Sequence, residues 1–338
     1  MESLAVKYRP KEFSDVCSQL SIIRILKQQL EVNQFKNCML FCGPSGCGKT
    51  SLSRLFANKI NKGQGEPIEI DAASNNGVDN VREIVRASKE RSIDSEYKIY
   101  IIDECHVLSS SAWQAFLKCI EEPPKYTLFF FCTTNPEKIP DTILNRLQRY
   151  NLNRIPIHEI KQRLIYISRK ENFNFEEEAI DFIAKTSKGQ MRDAIATLEK
   201  CASYSNDINI DNVLECLGNF TYNTFFNLIN SIIDDNEQEI LKIVNDYYNS
   251  GNNLSIFIDQ FLDFCFDINK YIIFKDFSCI KIPNLFKEEL DKSINFENPG
   301  NYYSYVVDGL LDLKFKLKND VTPKTTIEIT LLKFARCG

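Results

Sequence analysis

Apolar and polar positions follow two regimes along this 338-residue chain. Up to residue 154, short apolar runs alternate with helical patterns. The runs Cys38–Cys42, Pro67–Asp71, Lys98–Ile102, Thr127–Cys132 and Tyr150–Arg154 read as strands. Stretches such as "KIYII" and "TLFFFC" are apolar on both faces, as buried parallel strands are. Between them, Leu52, Leu55, Phe56 and Ile60 form one helical stripe. Trp113, Phe116, Leu117 and Ile120 form another at i, i+3, i+4, i+7 spacing, and Pro123-Pro124 ends it. Strand and helix in alternation predict a three-layer α/β domain over residues 1–154.

From residue 155 the strand signal stops. "IHEIKQRLIYISRKEN", "EEEAIDFIAKTSK" and "QMRDAIATLEKCASY" predict three short helices within residues 155–206. "SYSNDINI" reads as a linker. Residues 207–338 are helical in period throughout: "FFNLINSIIDD", "EQEILKIVNDYYNS", "LSIFIDQFLDFCFDINKYIIF", "YYSYVVDGLLDLKFKLK" and "PKTTIEITLLKFAR". The last has Thr322 at a cap position and Pro323 in the first turn.

Composition narrows the class. With 43% hydrophobic and 26% charged residues, the chain can bury real cores. No run approaches the roughly 20 apolar residues of a membrane span, so no membrane association is expected. The opening "MESLAVKYRPKEF" lacks the apolar core of a signal peptide, so a cytosolic protein is expected. The 12 cysteines are scattered, without a Cys-x-x-Cys pair, and only His106 and His158 accompany them. That spacing predicts no zinc site and reads as small buried hydrophobes in a reducing compartment. Charge is uneven: residues 1–154 carry 21 Lys and Arg against 18 Asp and Glu, residues 207–338 carry 12 against 20. Only the first segment suits nucleic acid.

Chemistry enters with "CGPSGCGKTS", residues 42–51. Gly43, four residues, then Gly48-Lys49-Thr50 is the phosphate-binding loop pattern. Backbone N–H groups turn inward around phosphate oxygens, and the following helix adds its dipole. Gly43, Pro44, Ser45, Gly46, Cys47, Gly48, Lys49, Thr50 and Ser51 are therefore the expected triphosphate contacts. Lys49 reaches the β and γ phosphates in this reading, and Thr50 binds Mg²⁺. Cys47 contributes its backbone, so its side chain is expected to be tolerated rather than needed.

Three further stretches fit hydrolysis. "KIYIIDECH" ends an apolar strand on Asp103 and Glu104, one acid for the Mg²⁺ shell and one to polarise water. "FFFCTTNPEKIPDTILNRLQRY" ends a strand on Thr133 and Thr134, where a hydroxyl can orient water, and continues to Arg146. An arginine there can stabilise transferred charge on a neighbour's nucleotide. "GQMRDA" offers Arg192 as a reporter of nucleotide state.

Together these stretches resemble the AAA+ ATPase subunits of bacterial clamp loaders, the gamma/tau family of DNA polymerase III. The matching segments are "KYRPKEFSDVCSQ", "GPSGCGKTS", "EIDAASNNGVDNVREI", "YKIYIIDECHVLS", "AFLKCIEEPP", "FCTTNPEKIPDTILNRL" and "GQMRDAIATLEK", and, more weakly, "CLGN" and "PKTTIEITLLKF". "EIDAASNNGVD" is the most specific.

The resemblance implies a RecA-like ATPase domain, a three-helix lid and a helical collar holding a pentameric ring, with copies of itself and other loader subunits as neighbours. It places Tyr8, Arg9 and Pro10 near the adenine. It makes Thr134 the sensor threonine, Arg192 the lid sensor and Arg146 the finger entering the neighbouring site. It implies ATP and Mg²⁺ as cofactors, and a sliding clamp and primer-template DNA as partners. ATP binding would hold the clamp open, and DNA would trigger hydrolysis and release.

Three departures stand out. "NKINKGQGEP" replaces the family's cysteine-rich zinc knuckle, and the family's Ser-Arg-Cys is Asn145-Arg146-Leu147, with Arg149 a second candidate finger. The chain also ends where a collar would, as in a short, gamma-like subunit. For DNA, Arg82, Arg86 and Lys89 share one helix face, beside Val78, Val81, Val85 and Ser88. Such a basic stripe grips phosphates without reading sequence, while a merely solvated face is the alternative. Two other readings stay open: a nucleotide-holding subunit that does not hydrolyse, and another AAA+ DNA machine for branch migration or recombination.

Overall fold

The computed structural model describes residues 2–217, 222–251, 253–318 and 320–335. Part of "CLGN" and the last residues, Cys337 among them, lie outside the described residues. The chain divides into two compact units, residues 1–175 with 183–207, and residues 176–182 with 208–338.

The first unit is built on a sheet of five parallel strands: β1 (Cys38–Cys42), β2 (Ile68–Asp71), β3 (Lys98–Asp103), β4 (Thr127–Thr133) and β5 (Gln148–Asn151), in the order β2-β3-β4-β1-β5. Helices α1 (Leu4–Lys7), α2 (Leu20–Val32), α3 (Lys49–Ile60), α4 (Val78–Ala87), α5 (Ser110–Glu121) and α6 (Asp141–Leu144) lie among the strands in sequence.

Side chains alternate across each strand, and both faces of the sheet are apolar. Met39, Phe41, Ile101 and Phe130 point one way, packing on Ile22, Ile23 and Leu26 of α2 and on Leu52, Leu55, Phe56 and Ile60 of α3. Leu40, Tyr100, Phe129 and Phe131 point the other way, onto Val81 of α4 and Ala112, Trp113, Phe116 and Ile120 of α5. Phe130 and Phe131 are fully buried, and such burial contributes about 1.5–3 kcal/mol per side chain. Because the strands are parallel, their C-terminal ends share one edge. Cys42 lies opposite Thr133, and Asp71 opposite Asp103. Ligand sites of open parallel sheets form at that edge.

The fifth strand occupies Gln148–Asn151, earlier than the predicted Tyr150–Arg154. It is an edge strand and only Tyr150 is buried in it, so its polar neighbours gave no apolar run. Helix α2 carries a clear amphipathic pattern that the strand-centred reading passed over.

After the sheet come α7 (Ile157–Lys170), α8 (Glu177–Thr186) and α9 (Met191–Tyr204). They coincide with the three predicted short helices. Within the first unit, Leu4 N–H donates to Glu199 Oε1 of α9 at 3.1 Å, and Arg163 of α7 donates to the Tyr8 carbonyl at 2.9 Å. The stretch read as a linker is not slack: Asn174 Nδ2 donates to Asp207 Oδ1 at 2.6 Å.

The second unit is helical. Beyond the start of α8 it holds α10 (Ile210–Cys216), α11 (Tyr222–Ile233), α12 (Glu237–Asn249), α13 (Leu254–Phe274), α14 (Lys287–Ser293), α15 (Pro299–Leu317) and α16 (Pro323–Ala335). Its core is aromatic: Phe225 and Phe226 of α11 meet Phe257, Phe261 and Phe264 of α13. Asp267 is buried there, and its carboxylate accepts from Lys270 Nζ and the Lys281 N–H at 2.7 and 2.9 Å. Pro323 opens α16 as predicted, but the Thr322 hydroxyl turns to Asp320 Oδ1. No described helix is long and apolar enough to cross a membrane.

Candidate functional site

The loop between β1 and α3 wraps the C-terminal edge of the sheet. Two glycines are dictated by space. A Cβ at Gly43 would stand 2.5 Å from the Leu152 carbonyl oxygen. A Cβ at Gly46, where φ is +67°, would stand 2.7 Å from Gln190 Cβ. The Gly46 carbonyl also accepts from the Met191 N–H at 3.1 Å. The loop and the start of α9 are therefore in direct contact.

Lys49 is 6% exposed, and its Nζ donates to the Gly43 and Pro44 carbonyls at 3.0 Å each. The ammonium thus sits inside the loop. Gly48 caps α3 without a side chain, so no side chain satisfies the first-turn N–H groups there. A helix N-terminus with its dipole and an enclosed ammonium fit a polyphosphate. Thr50 Oγ1 donates to Asp103 Oδ2 at 2.8 Å. A hydroxyl and a carboxylate so close are hard oxygen donors that suit Mg²⁺, which takes few protein ligands and keeps its waters. Among the described residues, no three His, Cys, Asp or Glu side chains gather as a metal-binding group.

Cys47 is 2% exposed and belongs to the core cluster with Leu52, Leu55 and Phe56, in keeping with the reading of the cysteines as small buried hydrophobes. Burial pushes its thiol pKa up, partly offset by Lys49.

Glu104 follows β3 in left-handed backbone geometry, φ 45° and ψ 41°. A side-chain-bearing residue adopts this at a cost of about 1–2 kcal/mol. Its Oε2 is reached by Thr134 N–H at 3.3 Å, Thr134 Oγ1 at 3.0 Å and His106 Nδ1 at 3.2 Å. Thr133 is fully buried, and its Oγ1 lies 3.2 Å from the same His106 nitrogen. Of the two threonines, Thr134 meets the acid. His106 was not foreseen; only its position two residues after Glu104 hinted at it.

The remaining predicted residues are spread. Tyr8 donates its hydroxyl to Glu171, at the end of α7, and Lys7 Nζ reaches the same carboxylate at 2.6 Å. Burial first, then Glu171, pushes the Tyr8 pKa up to about 12. The Lys7 and Tyr8 hydrogen bonds pull that of Glu171 down. Pro10 is half-buried beside Arg9. The pKa of Arg9 is lowered by burial, then by Arg54 and, less, by Arg192, with Glu69 opposing. Arg54 pairs with Glu69 at 2.5 Å, and its buried Nε has no hydrogen-bond partner among the described residues. The charge of this arginine group suits an anion, and Arg54 was another omission.

Arg146 pairs with Glu121 Oε1 at 2.7 Å and donates to the Thr142 carbonyl. Among the described residues, no hydrogen bond links it to Lys49, Asp103 or Glu104. Arg149 Nε donates to Asn151 Oδ1 at 2.6 Å. Arg82 and Arg86 on α4 are exposed, and Arg82 pairs with Asp79 at 3.0 Å. Lys89 is exposed too, but α4 ends at Ala87, so Lys89 lies in the turn beyond it rather than on the predicted helix face.

Residues 66–156 match the family described as DNA polymerase III, delta subunit. Residues 159–206 match the DNA polymerase III clamp loader subunit, ATPase lid domain, and residues 208–336 match DNA polymerase III subunits gamma and tau domain III. DNA polymerase III subunit tau of Bacillus subtilis is 35% identical over 78% of this chain and 51% of its own length. The chain spans about half the length of this relative and of those from Mycoplasma genitalium and Haemophilus influenzae. Among solved structures, the RuvB Holliday junction branch migration motor of Thermotoga maritima superposes with a TM-score of 0.54. It is 21% identical over 67% of this chain and 79% of its own, which shows the shared AAA+ fold alone. The gamma subunit of Buchnera aphidicola (Baizongia pistaciae) is 30% identical over 98% of this chain and 95% of its own length. The chain thus belongs to the gamma/tau family of DNA polymerase III clamp-loader subunits.

Proposed function

We propose that the chain is an ATP-hydrolysing subunit of a replication clamp loader. Residues 1–154 form the ATPase domain, 155–206 the lid and 207–338 a collar that joins copies of the chain and other subunits in a pentameric ring. Its partners are a sliding clamp and primer-template DNA, and its place is the cytosol. The observation that carries this reading is the pairing of Thr50 with Asp103 beside Glu104 and Thr134, on the strand ends that flank the loop.

In this reading the loop N–H groups and Lys49 bind the phosphates, and Tyr8, Arg9 and Pro10 border the base. Thr50 and Asp103 would hold Mg²⁺, which would supply positive charge against the phosphates. Glu104 accepts a proton from the water that attacks phosphorus, as the bond to the ADP oxygen breaks. Thr134 orients that water, and Arg192 reports on the phosphates. Arg146 stabilises charge in the adjacent subunit's site. ATP binding holds the clamp open; DNA, gripped by Arg82, Arg86 and Lys89, triggers hydrolysis and release.

The test is steady-state ATPase activity of the assembled protein with clamp and primed DNA. Wild type turns over, and Glu104→Gln falls by about 10²–10⁴-fold while binding ATP. Equal, negligible turnover by both would make the chain a nucleotide-holding structural subunit instead.

A further inference from the structure

Residues 4–8 are fastened to α7 and α9. The Leu4 N–H donates to Glu199 Oε1 of α9 at 3.1 Å, and Arg163 of α7 donates to the Tyr8 carbonyl at 2.9 Å. The Tyr8 ring stands edge-on to Tyr166 of α7, with centroids 6.3 Å apart. At the end of α7, Glu171 Oε1 accepts from both the Tyr8 hydroxyl and Lys7 Nζ. Residues 12 and 13 are fastened elsewhere. Glu12 pairs with Lys59 of α3 at 2.6 Å, and Phe13 is buried in the core cluster with Leu26 of α2 and Leu55 of α3.

Arg9, Pro10 and Lys11 alone span these two sets of anchors. The span is stiff, since proline fixes its own φ and restricts the residue before it. Arg9 is half-buried, and its guanidinium makes no hydrogen bond or ion pair among the described residues. Its direction is therefore set by the main chain, and on one side by whatever holds Tyr8. Two charge-assisted bonds do so: Arg163 on the carbonyl and Glu171 on the hydroxyl.

We propose that Glu171 is a positioning residue for the base side of the nucleotide site. By holding the Tyr8 hydroxyl, it keeps Arg9 and Pro10 where they border the base. This deepens the ATPase reading and rests on its placing of Tyr8, Arg9 and Pro10 beside the base. With the bond gone, fewer molecules hold the segment in place, and apparent affinity falls by that fraction. The loop and Lys49, which take the phosphates, are left alone.

Calorimetry on the full chain tests this with two ligands, ATP and inorganic tripolyphosphate, each with Mg²⁺. The second has the phosphates without ribose or base. Wild type binds ATP the more tightly. Tyr8→Phe and Glu171→Ala each weaken ATP about 10-fold, the worth of one hydrogen bond to a charged group, and tripolyphosphate less than about 2-fold. The double variant is no weaker than either single one. Glu171→Gln, whose amide oxygen still accepts the Tyr8 hydroxyl, recovers most of the affinity. Tyr8→Phe removes one oxygen, so it remains decisive if Glu171→Ala fails to fold. Unchanged ATP affinity in Tyr8→Phe overturns the proposal, as does equal loss of both ligands, or losses that add in the double variant. A wild type that binds ATP no better than tripolyphosphate overturns the base placement and this proposal together. A wild type that prefers ATP, matched by every variant, overturns the proposal alone.

Discussion

Thr50 Oγ1 donates to Asp103 Oδ2 across 2.8 Å, tying the first turn of α3 to the end of β3. The two side chains come from opposite sides of one site, 53 positions apart in sequence. If they share Mg²⁺, removing either weakens the ion rather than the fold. Thr50→Val and Asp103→Asn should each raise the Mg²⁺ concentration for half-maximal ATPase by on the order of 10–100-fold. Titration of Mg²⁺ at saturating ATP reads this. An unchanged midpoint would remove both residues from the metal.

Both candidate fingers are exposed and engaged: Arg146 through its fork, by Glu121 Oε1 and the Thr142 carbonyl, and Arg149 through Nε, by Asn151 on its own strand. The family resemblance assigns the role to Arg146. Arg146→Ala should reduce ATPase of the assembled ring by about 10³-fold or more, as loss of such an arginine does elsewhere. ATP binding by the variant should persist, and Arg149→Ala should stay within a few-fold of wild type. The reverse ranking would move the finger to Arg149.

Arg86 is exposed on α4 and Lys89 just beyond its end, while Arg82 is engaged by Asp79. If this stripe grips DNA phosphates, Arg86→Ala should weaken binding equally for unrelated sequences. The slope of log K against log salt should fall by about 0.9 for duplex contact. Fluorescence anisotropy at several salt concentrations measures it. An unaltered slope would leave the stripe a solvated face.

Cys47 sits in the apolar layer beneath the loop, so polarity there is costly. Cys47→Ser buries a more polar group in that layer and should cost about 1–3 kcal/mol of stability. Denaturant unfolding would show it as a lower midpoint at unchanged slope. Cys47→Ala, which adds no polar atom, should lose less. If serine is as stable as cysteine, the thiol is not a packing group.

The sheet was legible because its central strands are apolar on both faces, and Phe129, Phe130 and Phe131 could belong nowhere else. The last strand was less so, since Gln148 and Arg149 sit at an edge where water satisfies them. Helices with one clear stripe were legible too, down to the bounds of α13. The loop, Asp103 and Glu104 were named from spacing, and the fold brings them to one edge. What spacing could not tell was direction. It did not say that His106 turns back onto Glu104. Nor did it say that Glu121, at the far end of α5, meets Arg146. Each depends on a backbone turn or a partner distant in sequence, and neither leaves a periodic trace.

The bond from Met191 N–H to the Gly46 carbonyl gives the phosphate loop a second output. A loop that tightens around phosphate drags the first turn of α9 with it, without a side-chain intermediary. Arg192, the next residue along and the proposed reporter of nucleotide state, would then move as a passenger on that turn. Signal and lever share one piece of main chain, and no substitution at position 192 can uncouple them. A wedge at position 46 can: the Cβ of Gly46→Ala would press on Gln190, beside that bond.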